Sequence, residues 1–285
     1  MSATDTLPYV EAELRYTAPT EERPVFYYHE CDHPAQPLAV PHRVRIHDMR
    51  SIAGDISLDR HGFALIQHRT QIDDLWDEDA VRNLYYPEAA RVVAEVTGAR
   101  RAYAFDHVLR TPDPSHDPGG YIDTPLRLVH IDHSDRSVGS GFLWRSMRLT
   151  RMQRFRNLLG DEADELLRGR IEVIHMWRPV RGPVLDTHLA LCDHATVDAN
   201  DLVPSDFEYG DRVSQGYAVK HNAAHVWYYA PKMTRDEAFL IKCSDTKAGD
   251  CAQFAPHAAF NDPAAPVDAP HRWSIEVRML VFHGT

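Results

Sequence analysis

The sequence LRLVHID, at residues 126–132, is typical of a short β-strand that ends in a His-x-Asp motif. Side chains two residues apart on a strand point to the same face, so His130 and Asp132 direct a ring nitrogen and a carboxylate toward one point. A second histidine from another strand would complete a set of two histidines and one carboxylate, which leaves three positions of an octahedral metal open. A structural His–Asp hydrogen bond is the alternative interpretation of the same motif.

Other strand-like segments surround this motif and indicate a mainly β fold. They are short, apolar or aromatic, and separated by turn residues. Besides 126–132 they lie at 102–109, 171–177, 187–192, 217–221, 226–230, 238–242 and 273–282. Eight such segments favour a β-barrel or a double-sheet sandwich.

Helices are predicted to flank these strands. Apolar residues recur at helical spacing over residues 74–97, where Gly98 predicts the end of the helix, and again over residues 147–170. Residues 1–45 are interrupted by prolines and are expected to wrap the body as strands and loops. We expect a single domain over residues 1–285, with 1–100 as an N-terminal wrap and bracing helix and 101–285 as the β core.

The composition argues against several classes of protein. The chain has 31 Lys+Arg and 42 Asp+Glu, and this net charge of −11 argues against a nucleic-acid or anionic-membrane partner. No apolar run is long enough to span a bilayer, and no signal peptide is evident. The four cysteines form no Cys-x-x-Cys pair, which is usual for a reduced protein, so we expect a cytoplasmic location.

A second candidate metal motif is HECDH at residues 29–33, which matches the His-Glu-x-x-His signature of zinc proteases. That signature binds zinc on a helix, where the two histidines share a face. Pro24 and Pro34 bracket the stretch, and on an extended chain His29 and His33 would lie about 13 Å apart. A strand end that runs into a loop is favoured, and a zinc site at His29 and His33 is the alternative.

The C-terminal part of the chain supplies a candidate third ligand and an anion clamp. His257 lies amid apolar residues in FAPHAAF, at 254–260, and RWS at 272–274 opens the last strand. Arg272 and Ser274 share a strand face and offer a bidentate cation and a hydroxyl, which suit the far carboxylate of an iron-chelating keto acid such as 2-oxoglutarate. Arg278 shares this face and is an alternative clamp, unless it pairs with Glu276.

These motifs, in this order, resemble the Fe(II)/2-oxoglutarate-dependent hydroxylase and desaturase family of secondary metabolism, which includes gibberellin desaturase and relatives of the cephamycin methoxylation proteins. The resemblance covers most of the chain, in the segments IHDMR (46–50), SLDRHGF (57–63), VHIDHS (129–134), MWRP (176–179), LALCD (189–193), HVWYY (225–229), PHAAF (256–260) and RWSIEVR (272–278).

The resemblance implies a double-stranded β-helix (jelly-roll, cupin-like) oxygenase core that uses Fe(II), 2-oxoglutarate and O2 on a small-molecule natural product. It does not select among hydroxylation, desaturation and ring formation. A cupin-like protein that binds a metal or a small molecule without turnover is the alternative.

The sequence leaves the third metal ligand open. His257 follows His130 by 127 residues (257 − 130), and His188 follows it by 58 (188 − 130). His225 also lies on a predicted strand and is a further alternative. His175 is predicted to be an ordinary strand residue.

Three residues are candidate substrate contacts. Trp177 and Tyr228 lie on predicted strands, and at least one aromatic residue of these strands should face a central cavity. His188 is a candidate because the family is expected to have proline there. The shape of the pocket is expected to depend on the N-terminal wrap and on a loop at 195–215, and the sequence indicates neither the substrate nor the oligomeric state.

Overall fold

The fold is taken from a computed structural model that describes residues 6–20, 22–27, 37–113, 122–123, 125–132, 160–208, 213–247, 249 and 251–284. The zinc-protease motif at 29–33 and residues 147–159 of the second predicted helix lie outside these ranges. None of the described helices has the length and apolar character that crossing a membrane requires.

Strands outnumber helices in the described structure. They are β1 (Tyr9–Thr17), β2 (Val25–Tyr27), β3 (Ala39–Asp48), β4 (Phe63–Gln67), β5 (Arg101–Arg110), β6 (Ile122–Asp123), β7 (His130–Ile131), β8 (Ile171–Pro179), β9 (His188–Cys192), β10 (Leu202–Glu208), β11 (Val213–Val219), β12 (Trp227–Tyr229), β13 (Glu237–Asp245), β14 (His257–Phe260) and β15 (Ser274–Phe282). The helices are α1 (Leu58–His61), α2 (Glu78–Ala80), α3 (Tyr86–Thr97) and α4 (Ala163–Leu166), and a π-helical turn at Val81–Tyr85 joins α2 to α3.

These strands form two sheets that pack face to face. Sheet A has the order β1-β3-β12-β9-β14-β7-β11-β10-β2, and sheet B has the order β4-β13-β8-β15-β5-β6. One apolar cluster joins their inner faces, with Leu189, Leu191 and Tyr228 from sheet A against Trp177 and Phe239 from sheet B. The predicted mainly β, double-sheet fold is confirmed.

Helix α3 covers the outer face of sheet B. Its residues Val92 and Val93 pack in one cluster with the alternate residues Ile275, Val277, Met279 and Val281 of β15. The other alternate residues of β15 therefore point into the space between the sheets. Gly98 ends the helix in the left-handed conformation, with φ of 66° and its N–H donated to the carbonyl of Ala94.

Sheet A is so strongly curled that its edge strand, β1, packs against the outer face of the same sheet. The N–H of Val129, just before β7, donates to the carbonyl of Arg15 in β1 at 2.8 Å. Leu14 and Tyr16 of β1 are buried in one cluster with Trp227, Ala258 and other outward-facing residues of sheet A. A second apolar core thus lies on this side of the sheet, separate from the space between the two sheets.

Two predicted segments differ from the structure. The predicted loop at 195–215 contains β10, whose buried residues Val203, Ser205 and Phe207 alternate correctly for a strand, although a proline and a serine hide the pattern in the sequence. Of the second predicted helix, the described part contains only one α-helical turn, at Ala163–Leu166, before β8 begins at Ile171.

Candidate active site

The inner face of sheet A brings three predicted metal ligands together. His257 in β14 lies directly opposite His130 in β7, and their ring centroids are 4.4 Å apart. Asp132 follows His130 by two residues. One ligand atom from each of these three residues lies within 4.8 Å of those of the other two, in a group of donors that could hold a metal ion.

Both histidine rings are held by the same local contact. Nδ1 of His130 donates to the carbonyl of Leu128 at 2.8 Å, and Nδ1 of His257 donates to the carbonyl of Ala255 at 3.0 Å. Because Nδ1 carries the proton, Nε2 of each ring is left to bind a ligand. These Nε2 atoms lie 3.7 Å and 3.2 Å from the carboxylate of Asp132, and the longer distance is not a structural His–Asp hydrogen bond.

The electrostatics of the group suit a cation. Burial and the neighbouring His257 lower the pKa of His130 to about 4, so this imidazole is neutral at neutral pH. Burial alone would raise the pKa of Asp132, but the close approach of His175 and His257 outweighs it and holds this pKa well below its usual value. A neutral imidazole and an ionised carboxylate are the forms that bind metal.

One atom of the group lacks a good partner. Oδ2 of Asp132 is buried and forms no hydrogen bond of acceptable geometry, although Nε2 of His257 lies 3.2 Å away. A buried carboxylate oxygen without a hydrogen bond is costly. Two imidazole nitrogens and one carboxylate around this position fit Fe(II) in the facial arrangement that leaves open positions for other ligands.

Arg272 is a buried cation that has no carboxylate partner among the described residues. Its Nη1 donates to the carbonyl of Thr187 at 2.7 Å, and its guanidinium lies 5.3 Å from the ring centroid of Trp177. Nε has no hydrogen-bond partner, and within the described part of the chain no carboxylate forms an ion pair with Arg272. Burial, then the nearby Arg110 and Arg127, lower its pKa from the ordinary value. Such a site fits an anionic ligand.

Ser274 and Arg278 lie on the same strand face with different surroundings. Ser274 is buried, and its hydroxyl donates to the carbonyl of Arg110 at 3.4 Å. Arg278 pairs with Glu276 at 3.2 Å and with Asp106 at 3.3 Å. Of the two candidate clamps, Arg278 is therefore already paired with carboxylates, whereas Arg272 has no such pair within the ranges that the structure describes.

The candidate substrate contacts fall on different sides of sheet A. Tyr228 belongs to the cluster between the sheets, together with Trp177 of sheet B. His188 points to the second core, where its ring contacts Tyr229 and Phe260 and its Nε2 lies 3.5 Å from Asp262. The physical reason is the alternation of β9, since its neighbours Leu189 and Leu191 occupy the inner face.

His225, the other alternative ligand, is also remote from this group. Its Nε2 lies 3.1 Å from Asp201, and its ring stacks on Tyr16 of β1. The geometry does not bring either His188 or His225 to Asp132.

One histidine of the site, His175, was expected to be an ordinary strand residue. It is completely buried on the inward face of β8, and its Nδ1 lies 3.3 Å from Oδ2 of Asp132 and 3.3 Å from Oε1 of Glu276. The signal that could have found it is the alternation of β8, because Val173, His175 and Trp177 share one face.

A further acidic group, outside this site, already holds a cation from the protein. Nζ of Lys242 lies 2.9 Å from Asp59, 2.8 Å from Glu172 and 2.8 Å from Asp245. Arg170 pairs with the same three carboxylates. These contacts form a partly buried ion-pair cluster that ties α1, β8 and β13 together.

Gly62, at the end of α1, packs against the segment that leads to His257. Its φ is 86°, and a Cβ there would lie 2.5 Å from the carbonyl oxygen of Phe254. The next residue, Ala255, supplies the carbonyl that orients the His257 ring. The SLDRHGF segment therefore supports the backbone before β14.

Replacing Gly62 by alanine is expected to lower the free energy of unfolding more than the same change at Gly98. Both glycines have a positive φ, which costs an alanine about 1–2 kcal/mol, but a Cβ at Gly98 meets no atom within 4 Å. The collision with Phe254 should add about 1–3 kcal/mol. Urea denaturation of both variants measures the difference, and equal losses would contradict the close approach.

Comparison with known proteins places the chain among oxygenases. The family described as "Oxidoreductase/YMDC permease-like domain" matches residues 14–282. The chain is 31% identical to "Fe(II)/2-oxoglutarate-dependent dioxygenase nvfI" of Aspergillus novofumigatus (strain IBT 16806), over 96% of this chain and 97% of that protein. It is 32% identical to "Hydroxylase/desaturase efuI" of Hormonema carpetanum, over 84% and 83% of the two chains.

A solved structure has the same fold. The structure of "iron and alpha-ketoglutarate-dependent endoperoxidase NvfI" superposes with a TM-score of 0.80 and 28% identity, over 97% of this chain and 99% of that one. The predicted jelly-roll oxygenase core is thereby confirmed.

Proposed function

Because the chain belongs to the family of Fe(II)/2-oxoglutarate-dependent dioxygenases and hydroxylase/desaturases, we propose that His130, Asp132 and His257 hold its iron and that Arg272 and Ser274 hold the far carboxylate of 2-oxoglutarate. The protein is an enzyme that oxidises a small-molecule natural product. The non-catalytic cupin-like alternative is not supported, since the relatives are named as dioxygenases, hydroxylases and desaturases.

The single observation that carries the ligand assignment is the convergence of the three donors across β7 and β14. The two imidazoles offer Nε2 because their Nδ1 atoms are engaged by carbonyls, and Asp132 supplies the negative charge. When bound, Fe(II) with 2-oxoglutarate and O2 supplies the oxidation of a C–H bond, coupled to conversion of 2-oxoglutarate to succinate and CO2.

The assignment of the clamp rests on the environment of Arg272. A carboxylate placed at its guanidinium would gain charge-assisted hydrogen bonds and neutralise a buried charge. Trp177, beneath that guanidinium, would pack against the ligand, and Tyr228 would line the same inner face. Arg278 would keep Glu276 and Asp106 in place rather than bind 2-oxoglutarate.

Addition of Fe(II) and then 2-oxoglutarate under anaerobic conditions is expected to give a weak visible charge-transfer band. The band requires a keto acid chelated to an iron that keeps open positions. Succinate, in place of 2-oxoglutarate, is the control and should give no band, because it lacks the keto group. A protein that binds both Fe(II) and 2-oxoglutarate without a band would contradict the proposed site.

Three wider features belong to the same proposal. The chain acts as one oxygenase domain, in which residues 1–100 brace a core formed by residues 101–285. It works in the cytoplasm, and nucleic acid is not among its partners. The net charge of −11 and the absence of a Cys-x-x-Cys pair support the last two statements.

A further inference from the structure

One buried histidine outside the proposed ligand set lies between two carboxylates from opposite sheets. Nδ1 of His175, in sheet B, is 3.3 Å from Oδ2 of Asp132, which follows β7 of sheet A. The same nitrogen is 3.3 Å from Oε1 of Glu276, in the neighbouring strand β15 of sheet B. A single imidazole thus bridges the space between the sheets at the proposed metal site.

The imidazole of His175 lies between two carboxylates that would otherwise repel each other. Both side chains are largely buried, with 10% of Asp132 and 7% of Glu276 exposed, so water screens their repulsion weakly. Arg278 contacts the same oxygen of Glu276, Oε1, but among the described residues it is the imidazole of His175 that lies against both carboxylates. Without it, two like charges would face each other in the interior, and the Asp132 carboxylate would be driven to rotate away.

We propose that His175 is a positioning residue: the close approach of its Nδ1 to Oδ2 of Asp132, at 3.3 Å, sets this carboxylate for metal binding. Glu276 holds the imidazole in turn. The inference rests on the proposed function, because it assumes that Asp132 is a metal ligand. Partners of this kind fix the orientation of a ligand, and their loss typically lowers metal affinity by about 10- to 100-fold.

The bridge has a structural consequence for the cosubstrate. Glu276 is two residues from Ser274 and four from Arg272, on the inward face of the strand that carries the proposed clamp. Asp132 is therefore tied through His175 to the backbone that presents Arg272. Side chains of the two sheets then help to hold the proposed metal ligands relative to the proposed clamp.

A second interpretation makes His175 a metal ligand itself. Donor atoms of Asp132, His175 and Cys243 also lie within 4.8 Å of one another. In the structure the thiol of Cys243 donates to the carbonyl of Ile241 at 3.8 Å. This arrangement favours a positioning role, and the stoichiometry of metal binding distinguishes the two roles.

The test is anaerobic titration of the full-length protein with Co(II), followed by visible absorption. His175→Leu removes the donor, His175→Gln keeps a donor in a different place, and His107→Gln is the matched control. His107 is also a buried histidine of sheet B beside a carboxylate, 3.1 Å from Glu78, but it faces the helices. We expect the Kd for Co(II) to rise about 10- to 100-fold in H175L, by less in H175Q, and not in H107Q.

A second readout separates positioning from general stability. H175Q should shift the charge-transfer band of the Fe(II)–2-oxoglutarate complex relative to wild type, because the electron donation of Asp132 changes, whereas H107Q should not. A Kd for H175L within twofold of wild type would overturn the proposal. So would binding of more than one Co(II) per chain with thiolate absorption, which makes His175 a ligand.

The remaining outcomes are also decisive. If H175L lacks the circular dichroism of the folded protein, only H175Q is used for the test. In that case, a Kd for Co(II) in H175Q equal to that in H107Q overturns the inference. If wild type binds no Co(II) and no Fe(II), the proposed function fails and takes the inference with it. Normal binding by wild type together with unaffected H175 variants rejects the inference alone.

Discussion

Replacement of Asp132 by alanine is expected to abolish the formation of succinate from 2-oxoglutarate, including the slow turnover that occurs without an organic substrate. Asp132 is the one carboxylate among the three proposed ligands, and its loss leaves two neutral imidazoles to hold a dication. The decrease should exceed about 100-fold, the upper end of what loss of an outer partner costs. Chromatography of succinate measures the turnover, and a colorimetric iron assay after anaerobic gel filtration measures bound Fe(II).

Asp206 provides the matched control for this change. It is a half-buried aspartate of sheet A, in β10, and it pairs with Arg23 at 2.5 Å, away from the proposed ligands. D206A should retain iron binding and succinate formation close to wild type. Undiminished turnover in D132A would show that the metal, if present, is held elsewhere.

Replacement of Arg272 by leucine is expected to raise the Kd for 2-oxoglutarate by about 30-fold or more, which is about 2 kcal/mol, the lower end for removing one partner of a buried charge pair. The free energy of unfolding without 2-oxoglutarate should be no lower than that of wild type. The physical reason is that the change removes a buried charge that has no carboxylate partner among the described residues. The Kd is measured by titrations that follow the charge-transfer band. A Kd equal to or lower than that of wild type would contradict the assignment.

Arg278→Leu is the discriminating comparison. It leaves Glu276 without its cation in the interior, so it should lower the free energy of unfolding by about 3–5 kcal/mol. Its effect on the Kd for 2-oxoglutarate should be smaller than that of R272L. The opposite ranking of the two variants in both measurements would assign the clamp to Arg278.

Local pattern was sufficient to predict much of the fold and part of the candidate site. Alternation along the last strand separated Ser274, Glu276 and Arg278 from Val277 and its apolar neighbours, and the structure has the same division. Gly98 marked the end of the long helix because a left-handed residue was needed there. Side chains two apart on one strand necessarily share a face, so His130 and Asp132 could be paired from sequence alone.

Contacts between distant strands could not be predicted in this way. Whether His257, His188 or His225 approaches Asp132 depends on the order of strands in sheet A, and no local period encodes that order. The role of His175 depends on how the two sheets face each other, which is one step further from the sequence. Strand β10 was not predicted because Pro204 lies within it and a polar residue, Ser205, occupies one of its buried positions.

The direct opposition of His130 and His257 on adjacent strands has a consequence for how such an enzyme can diversify. Backbone pairing between β7 and β14 fixes the separation of the two imidazoles, whatever the length of the intervening chain. Connections elsewhere can be lengthened, shortened or exchanged while the catalytic geometry stays intact. The scaffold is therefore suited to loop transplantation, in which loops from a relative change the substrate selectivity while the metal site on β7 and β14 stays unchanged.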